Sequence, residues 1–569
     1  MRYILAVIVV FSLFYSSLSF AQVKEIVAEG TYNMGDGETP TVAESRALLQ
    51  AKRTALEEAG TYVESYSKVK NFQLTEDEIK VIASGLMEVT VLDKKRTIVG
   101  DGINFWVKIN AKVNLDKTEE MANKIKVKDK LFVDDYKKIQ EDYTRSQREN
   151  EELKKQLAQA KGEKERKEVK AKIAEEEKLL QANEWFEKGY TYSLNKERDK
   201  AIEAYTNVIA LIPDDVFAYN NRGLAYHNKG QHDKAIEDFN KAIAIDPSYA
   251  EAYSNMGIAY IGKGQYDIAI ELYNKAITLN PKNAIPYLSR GYAYGYKGQY
   301  DRAIEDFNKA IALDPNYAAV YSARGITYAY KRQLDNAIDD YNKAIALDPT
   351  YTLDYYNRGL AYLNKGQQDK AIEDFNKAIA LNPNDAEAYY SRGLTYGYKG
   401  QHDRAIEDFN KAIALNPNSA ASYIGRGFAY AYKSQQDRAI EDYNKAIALN
   451  PNDALVYYNR GIAYANKGQQ DRAIEDFNKA IELDPTYALN YYNRGLAYAM
   501  LKKTGNAISD LQKACNMGDE GGCKALKEVE RENGKTISKS YPRIFYDLQR
   551  ACELGDEVSC KEVKKFLQK

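Results

Sequence analysis

Histidine occurs three times, cysteine four times and tryptophan twice in 569 residues. That inventory leaves little for imidazole-based catalysis, haem or iron–sulfur ligation. His227, His232 and His402 have no local Ser or Cys companion pattern, and paired carboxylates are helix-start acids copied from unit to unit. There is no phosphate-cradling glycine loop, no His-Glu-x-x-His and no Gly-x-Ser-x-Gly. The chain therefore reads as a non-enzyme, with no cofactor and no metal. Charge of either sign is not in excess either: 81 Lys+Arg face 82 Asp+Glu, a net −1. Long-range attraction to nucleic acid has no source in such a balance. Beyond the first twenty residues, no stretch is apolar enough to cross a bilayer.

Those first residues read as an address. Met1-Arg2 is a short positive start, Tyr3 to Phe14 is apolar, and Ser19-Phe20-Ala21 offers small side chains where a signal peptidase reads. Cleavage is expected before Gln22, so that 1–21 is a signal peptide. A membrane anchor is the alternative, but the run is short of the ~20 residues needed to span. No Cys follows it, so no lipobox is present. The expected location is periplasmic or secreted, with no transmembrane segment after cleavage.

Tyrosine is plentiful, 48 against 16 Phe, because a short pattern is copied. Gly recurs at 189, 223, 257, 291, 325, 359, 393, 427, 461 and 495, a fixed period of 34. The copy Tyr355-Tyr356-Asn357-Arg358-Gly359-Leu360-Ala361-Tyr362 is followed by Lys365-Gly366, Ala371, Phe375, Ala378 and Pro383. These residues resemble the tetratricopeptide repeat, a helix–turn–helix unit of 34 residues. The fold class expected is mostly α: a ten-unit tetratricopeptide α-solenoid over 182–516. The family resemblance implies a right-handed array with a concave groove. The aromatic at Trp185, Tyr219 through Tyr491, and the Tyr seven residues later, lie on one face of a first helix. The Gly lets a second helix approach, and Pro213 through Pro485 end that helix. No unit can bury its apolar face alone, so stacked neighbours supply the core.

Comparing the copies separates a structural charge from a functional one. Arg precedes the Gly in eight units (Arg222, Arg290, Arg324, Arg358, Arg392, Arg426, Arg460, Arg494), and the same eight carry Asp sixteen residues later. The two units without Arg, with Lys188 and Met256, hold Ala204 and Leu272 there. Joint presence and joint loss predict an Arg–Asp pair between the two helices of a unit rather than an anion-binding stripe.

Function is expected in the groove. Two residues before the Gly stand Asn221, Asn255, Asn357, Asn459 and Asn493, with Ser, Ala or Gly in the gaps. This resembles the Asn ladder of O-linked N-acetylglucosamine transferase repeats, which implies a grip on an extended peptide backbone. An amide both donates and accepts, so it suits any peptide sequence; the same Asn row also fits simple solvation of the inner face. Tyr356, Tyr390, Tyr458 and Tyr492, one residue earlier, are candidate anchors or packing. The Lys/Asn clamp of chaperone-tail-binding repeats is not matched.

Residues 22–116 form a small α/β envelope domain of order β-α-α-β-β. Val23 to Asn33 reads as a strand, an Ala-spaced helix runs from Thr41 through Val63, and a shorter helix starts near Leu74. Glu88–Val99 and Ile103–Leu115 pair as a hairpin, and Trp106 is expected in the core. Its Ala-rich helix, Val69-Lys70-Asn71 link and Ala83-Ser84-Gly85 step resemble periplasmic flagellar assembly protein T and allied envelope lipoproteins. The resemblance implies docking to an envelope assembly. Residues 117–181 are a coiled-coil or spacer helix, in which a 4-3 seam runs from Phe132 through Asn150 to Ala160. A homodimer through 132–160, a helix folded against the array and a solvated spacer all remain open.

The tail, 517–569, repeats at an offset of 37: Leu511 to Cys515 matches Leu548 to Cys552, and each stretch continues to a second Cys, Cys523 and Cys560. It resembles the cysteine-bridged Sel-type repeats of secreted bacterial proteins. That likeness, in an exported chain without Cys-x-x-Cys, implies capping helical repeats with disulfides Cys515–Cys523 and Cys552–Cys560 rather than zinc. The function expected is an exported protein–protein interaction scaffold with an unidentified protein or peptide partner. A coiled-coil structural oligomer and a wall- or carbohydrate-associated module are the alternatives.

Overall fold

The computed structural model of the chain describes residues 23–34, 87–99, 102–114, 145–146 and 148–532, with scattered helical positions between 44 and 55. The expected signal peptide, the expected helix near Leu74, the seam expected before 145 and the expected Cys552–Cys560 bridge fall on residues outside those described. Two compact units meet in sequence between Tyr317 and Ala318, and each is described by itself.

In the first unit three strands, β1 (Val23–Asn33), β2 (Met87–Val99) and β3 (Gly102–Asn114), form an antiparallel sheet of order β1-β3-β2. Alternation puts Ile26, Ala28, Phe105, Val107, Ile109 and Ala111 on one buried face. Helical Ala47, Ala51 and Ala55 are fully buried, as four-residue spacing along one face demands. Gly30 makes room for them: a side chain there would meet the backbone of Ala47 and Ala51 at 2.2 Å. Trp106 corrects an expectation. The same alternation turns it to the opposite face, where its indole donates to Glu29 at 3.1 Å under the Lys95 ammonium.

Helix α1 (Glu163–Leu194) runs unbroken from Gly162 into the first repeat, so the spacer and the array share one helix. Residues 148–159 form a helix before it. Ser146 and Asn150 are buried within the chain, and the Ser146 hydroxyl donates to Glu176 of α1. Val169 and Ile173 are buried on α1. This part of the predicted seam is thus covered intramolecularly.

The repeats follow as paired helices: in the first unit from Arg198–Leu211 through Tyr300–Leu313, in the second from Ala318–Tyr330 through Glu520–Glu532. Nine repeats close on an aromatic, Phe239, Phe307, Phe375, Phe409 and Phe477 or Tyr205, Tyr273, Tyr341 and Tyr443, and the last on Leu511, nearly all inaccessible to solvent. The periodic glycine gives that ring its place; a Cβ at Gly291 would lie 2.4 Å from Phe307. The turn inside each repeat needs a left-handed residue. Gly supplies it at 230, 264, 298, 366, 400 and 468, whereas Lys196, Arg332, Ser434 and Lys502 adopt the same φ of 57–60° with a side chain. Within each unit, first helices pack on the first helices of adjoining repeats more closely than second helices do on theirs. First helices therefore line the inner side. The Thr504–Asn516 helix is joined to the next by a Cys515–Cys523 bridge, Cα atoms 4.6 Å apart.

Candidate functional site

The polar groups of the repeats fall into three sets, and the geometry assigns each a task. In all eight Arg-bearing repeats the guanidinium Nε and Nη2 donate to both carboxylate oxygens of its Asp at 2.6–2.9 Å. The carboxylates are almost wholly buried and the fork is bidentate, the strong form of this contact. The charged acceptor holds each guanidinium even more firmly protonated than usual. In six of them Nη1 also donates to an Asn on the second helix of the preceding repeat, for instance Arg426 to Asn410 at 2.6 Å and Arg494 to Asn478 at 2.7 Å. One side chain thus fastens three helices. These arginines are spent on architecture.

A second set was not foreseen. Lys229, Lys263, Lys297, Lys365, Lys399, Lys433 and Lys467 each pair with the Asp that opens the second helix one repeat back, such as Lys263 with Asp233 at 2.6 Å. The acids are about four-fifths exposed, so solvent screening leaves each link weak. Their value is repetition along an edge.

The third set is the inner row. In the first unit Asn221 is nearly buried, and half-buried Asn255 donates to Asn220 Oδ1 at 2.9 Å, which in turn reaches the Tyr249 hydroxyl at 3.5 Å. In the second unit Asn357, Tyr356 and Tyr390 are half-buried, and the Tyr356 hydroxyl meets Ser391 at 3.3 Å. Tyr458 and Asn459 have essentially no exposed surface, which corrects their place in the ladder. Tyr458 stacks edge-on against Tyr487, and the Asn459 amide donates to the Leu455 carbonyl at 2.7 Å. Asn493, half-buried, donates to the Tyr458 hydroxyl and to the Leu489 carbonyl, both at 3.0 Å, beside half-buried Tyr492. The accessible inner positions are therefore Asn255 in the first unit and, in the second, Tyr356, Asn357, Tyr390, Tyr492 and Asn493.

Family comparisons agree with this architecture. Tetratricopeptide repeat signatures match 216–249, 250–283, 284–317, 354–385, 386–419, 454–487 and 477–509, and the related TPR repeat matches 189–230, 328–366 and 427–468. The chain is a tetratricopeptide repeat protein. As such it is a protein–protein interaction scaffold, of a family that is generally non-enzymatic. No curated protein matches the sequence. Similar solved structures include a tetratricopeptide repeat protein from Parabacteroides merdae ATCC 43184, 25% identical over 44% of this chain and 97% of that one, TM-score 0.36. YrrB, described as a TPR protein with an unusual peptide-binding site, is 28% identical over 35% and 99%, TM-score 0.30. MamA is 36% identical over 28% and 95%, TM-score 0.27.

This tetratricopeptide repeat protein also carries a departure from its own pattern. Asp354 lies in a first helix where the other repeats of the second unit hold Val320, Ala388, Ser422, Val456 or Asn490. It is 1% exposed and accepts a hydrogen bond from Ser322 of the preceding first helix. Burial first, then repulsion from Asp348, pushes its carboxyl up to about 7, against the weaker pull of Arg358. The guanidinium of Arg358 is committed to Asp374 and Asn342. Among the described residues no helix is long and apolar enough to cross a membrane.

Proposed function

We propose that the chain is an exported adaptor, periplasmic or secreted, that holds an extended peptide or a protein segment against its first-helix faces. The observation that carries the reading is the division of polar labour. Every Arg of the periodic row is locked to an Asp, while Tyr356, Asn357 and Tyr390 keep part of their surface on the inner side. An amide flanked by tyrosines offers a donor, an acceptor and two flat faces to a backbone of any sequence. The N-terminal sheet with its Ala-faced helix is the docking element towards the envelope, and the small N-terminal address delivers the chain there.

The test is photo-crosslinking in cells of the source envelope. A reactive side chain at 357 or 390 is expected to capture a discrete partner, and one at exposed Lys377 on a second helix is not. Equal capture at all three positions, or none at 357 and 390, overturns groove binding. Fractionation of the same cells checks export, since retention in the cytoplasm with residues 1–21 intact refutes that half of the reading.

A further inference from the structure

We infer that His227 and His232 together form a binding site for a first-row divalent cation of the kind that takes imidazole nitrogen, with Cu2+ preferred over Zn2+. His227 lies near the end of one helix, Val216–Asn228, and His232 opens the next, His232–Ile245. The tight turn between them, with Gly230 at φ +77°, folds the two imidazoles together. Their Nδ1 atoms stand 3.2 Å apart and their ring centres 4.9 Å. A cation bound at the usual 2.0–2.1 Å, with a roughly tetrahedral angle between its ligands, needs donor nitrogens about 3.3 Å apart and ring centres about 5 Å apart. A straight N–H···N bond would hold the ring centres farther apart than they are. The two nitrogens are within hydrogen-bond distance of each other, in a bent contact whose shared proton a cation would replace.

The packing around His232 leaves room beside its ring. Gly262 of the next repeat lies against His232; a Cβ there would be 2.6 Å from Cε1 and 3.0 Å from Nδ1, so the glycine keeps this side of the ring clear. Where His402 occupies the same repeat place, Tyr432 stacks flat on it at 4.9 Å and no second histidine is near. The nearby acids are taken, Asp199 by Lys229 and Asp233 by Lys263. Among the described residues no group of three or more His, Cys, Asp or Glu side chains could hold a metal. The site therefore supplies two ligands and leaves the other positions to water or to a donor from a bound partner. A pair of imidazole nitrogens suits Cu2+ best in the usual order of divalent affinities.

The test uses the full chain with its cysteines oxidised, titrated with Cu2+ and separately with Zn2+ and read by calorimetry and, for Cu2+, by electron paramagnetic resonance. With three histidines in the whole sequence, each can be removed in turn. One equivalent of Cu2+ is expected, with a two-nitrogen signature, and a rise in melting temperature because the ion ties two helices across their turn. His227→Gln and His232→Gln should each weaken binding at least tenfold and abolish the two-nitrogen signature, while His402→Gln changes neither. Gly262→Ala, which crowds the His232 ring, is expected to weaken binding without removing a ligand. Circular dichroism of each variant separates loss of the site from loss of the fold. Failure to bind Cu2+, or binding unchanged in the folded His227→Gln and His232→Gln variants, overturns the inference.

Discussion

A carboxyl that is buried where its counterparts are mostly apolar should make the array less stable as pH rises, and Asp354 allows the effect to be sized. Unfolded, an Asp titrates near 3.9; folded, Asp354 is raised to about 7. The folded value lies above the unfolded one for an acid, so folding disfavours its charge. The cost is absent below about pH 4, grows between 4 and 7, and is complete above 7. Three units at 1.36 kcal/mol each give about 4 kcal/mol as a ceiling, and water penetration reduces this to roughly 2–4 kcal/mol. Asp354→Asn removes the charge and can still accept from Ser322. Urea unfolding of the full chain and the variant at pH 8 should show the variant more stable by that amount. At pH 4.5 the difference should shrink below about 1 kcal/mol. An equal effect at both pH values, or a destabilised variant at pH 8, would refute the reasoning.

Three further outcomes follow from packing. Arg426→Met strands the buried Asp442 carboxylate and should cost about 3–5 kcal/mol, whereas Arg426→Met with Asp442→Leu copies the Met256 and Leu272 of another repeat and should fall within about 1 kcal/mol of the parent; a double-mutant cycle in urea measures both. Ser434→Gly relieves a left-handed residue at φ +59° and should stabilise by roughly 0.5–1 kcal/mol, seen as a raised melting temperature. Gly291→Ala drives a methyl to 2.4 Å from the Phe307 ring, while at Gly393 the Phe409 ring is 3.1 Å away. The first should cost about 1–3 kcal/mol and clearly more than the second by thermal unfolding.

Much of the architecture was legible because the chain prints its design many times. The period of 34 gave the helix pairs, and the alternation in Val23–Asn33, Met87–Val99 and Gly102–Asn114 gave the strands to within a residue or two. The Arg–Asp pairing was legible because two repeats lack both partners. The Lys–Asp edge was not, since Lys229 to Lys467 and their acids recur without an exception that would reveal the pairing. Burial of Tyr458 and Asn459 also escaped the sequence. Position in a repeat fixes which way a side chain points, but its neighbour on the adjoining helix decides how much surface survives, and here that neighbour includes Tyr487. Trp106 shows the same lesson in a strand: size suggested the interior, and parity along β3 decided otherwise.

The triple grip of these six arginines also bears on how such a chain can grow. Because Arg426 holds Asp442 on its own hairpin and Asn410 on the previous one, the seams that carry such an arginine are written in the same chemical handwriting. A block of 34 residues spliced in or cut out beside it meets the same three groups in the same places. Length is then a heritable dial that turns in whole clicks, lengthening the molecule's reach without asking any existing joint to be re-invented.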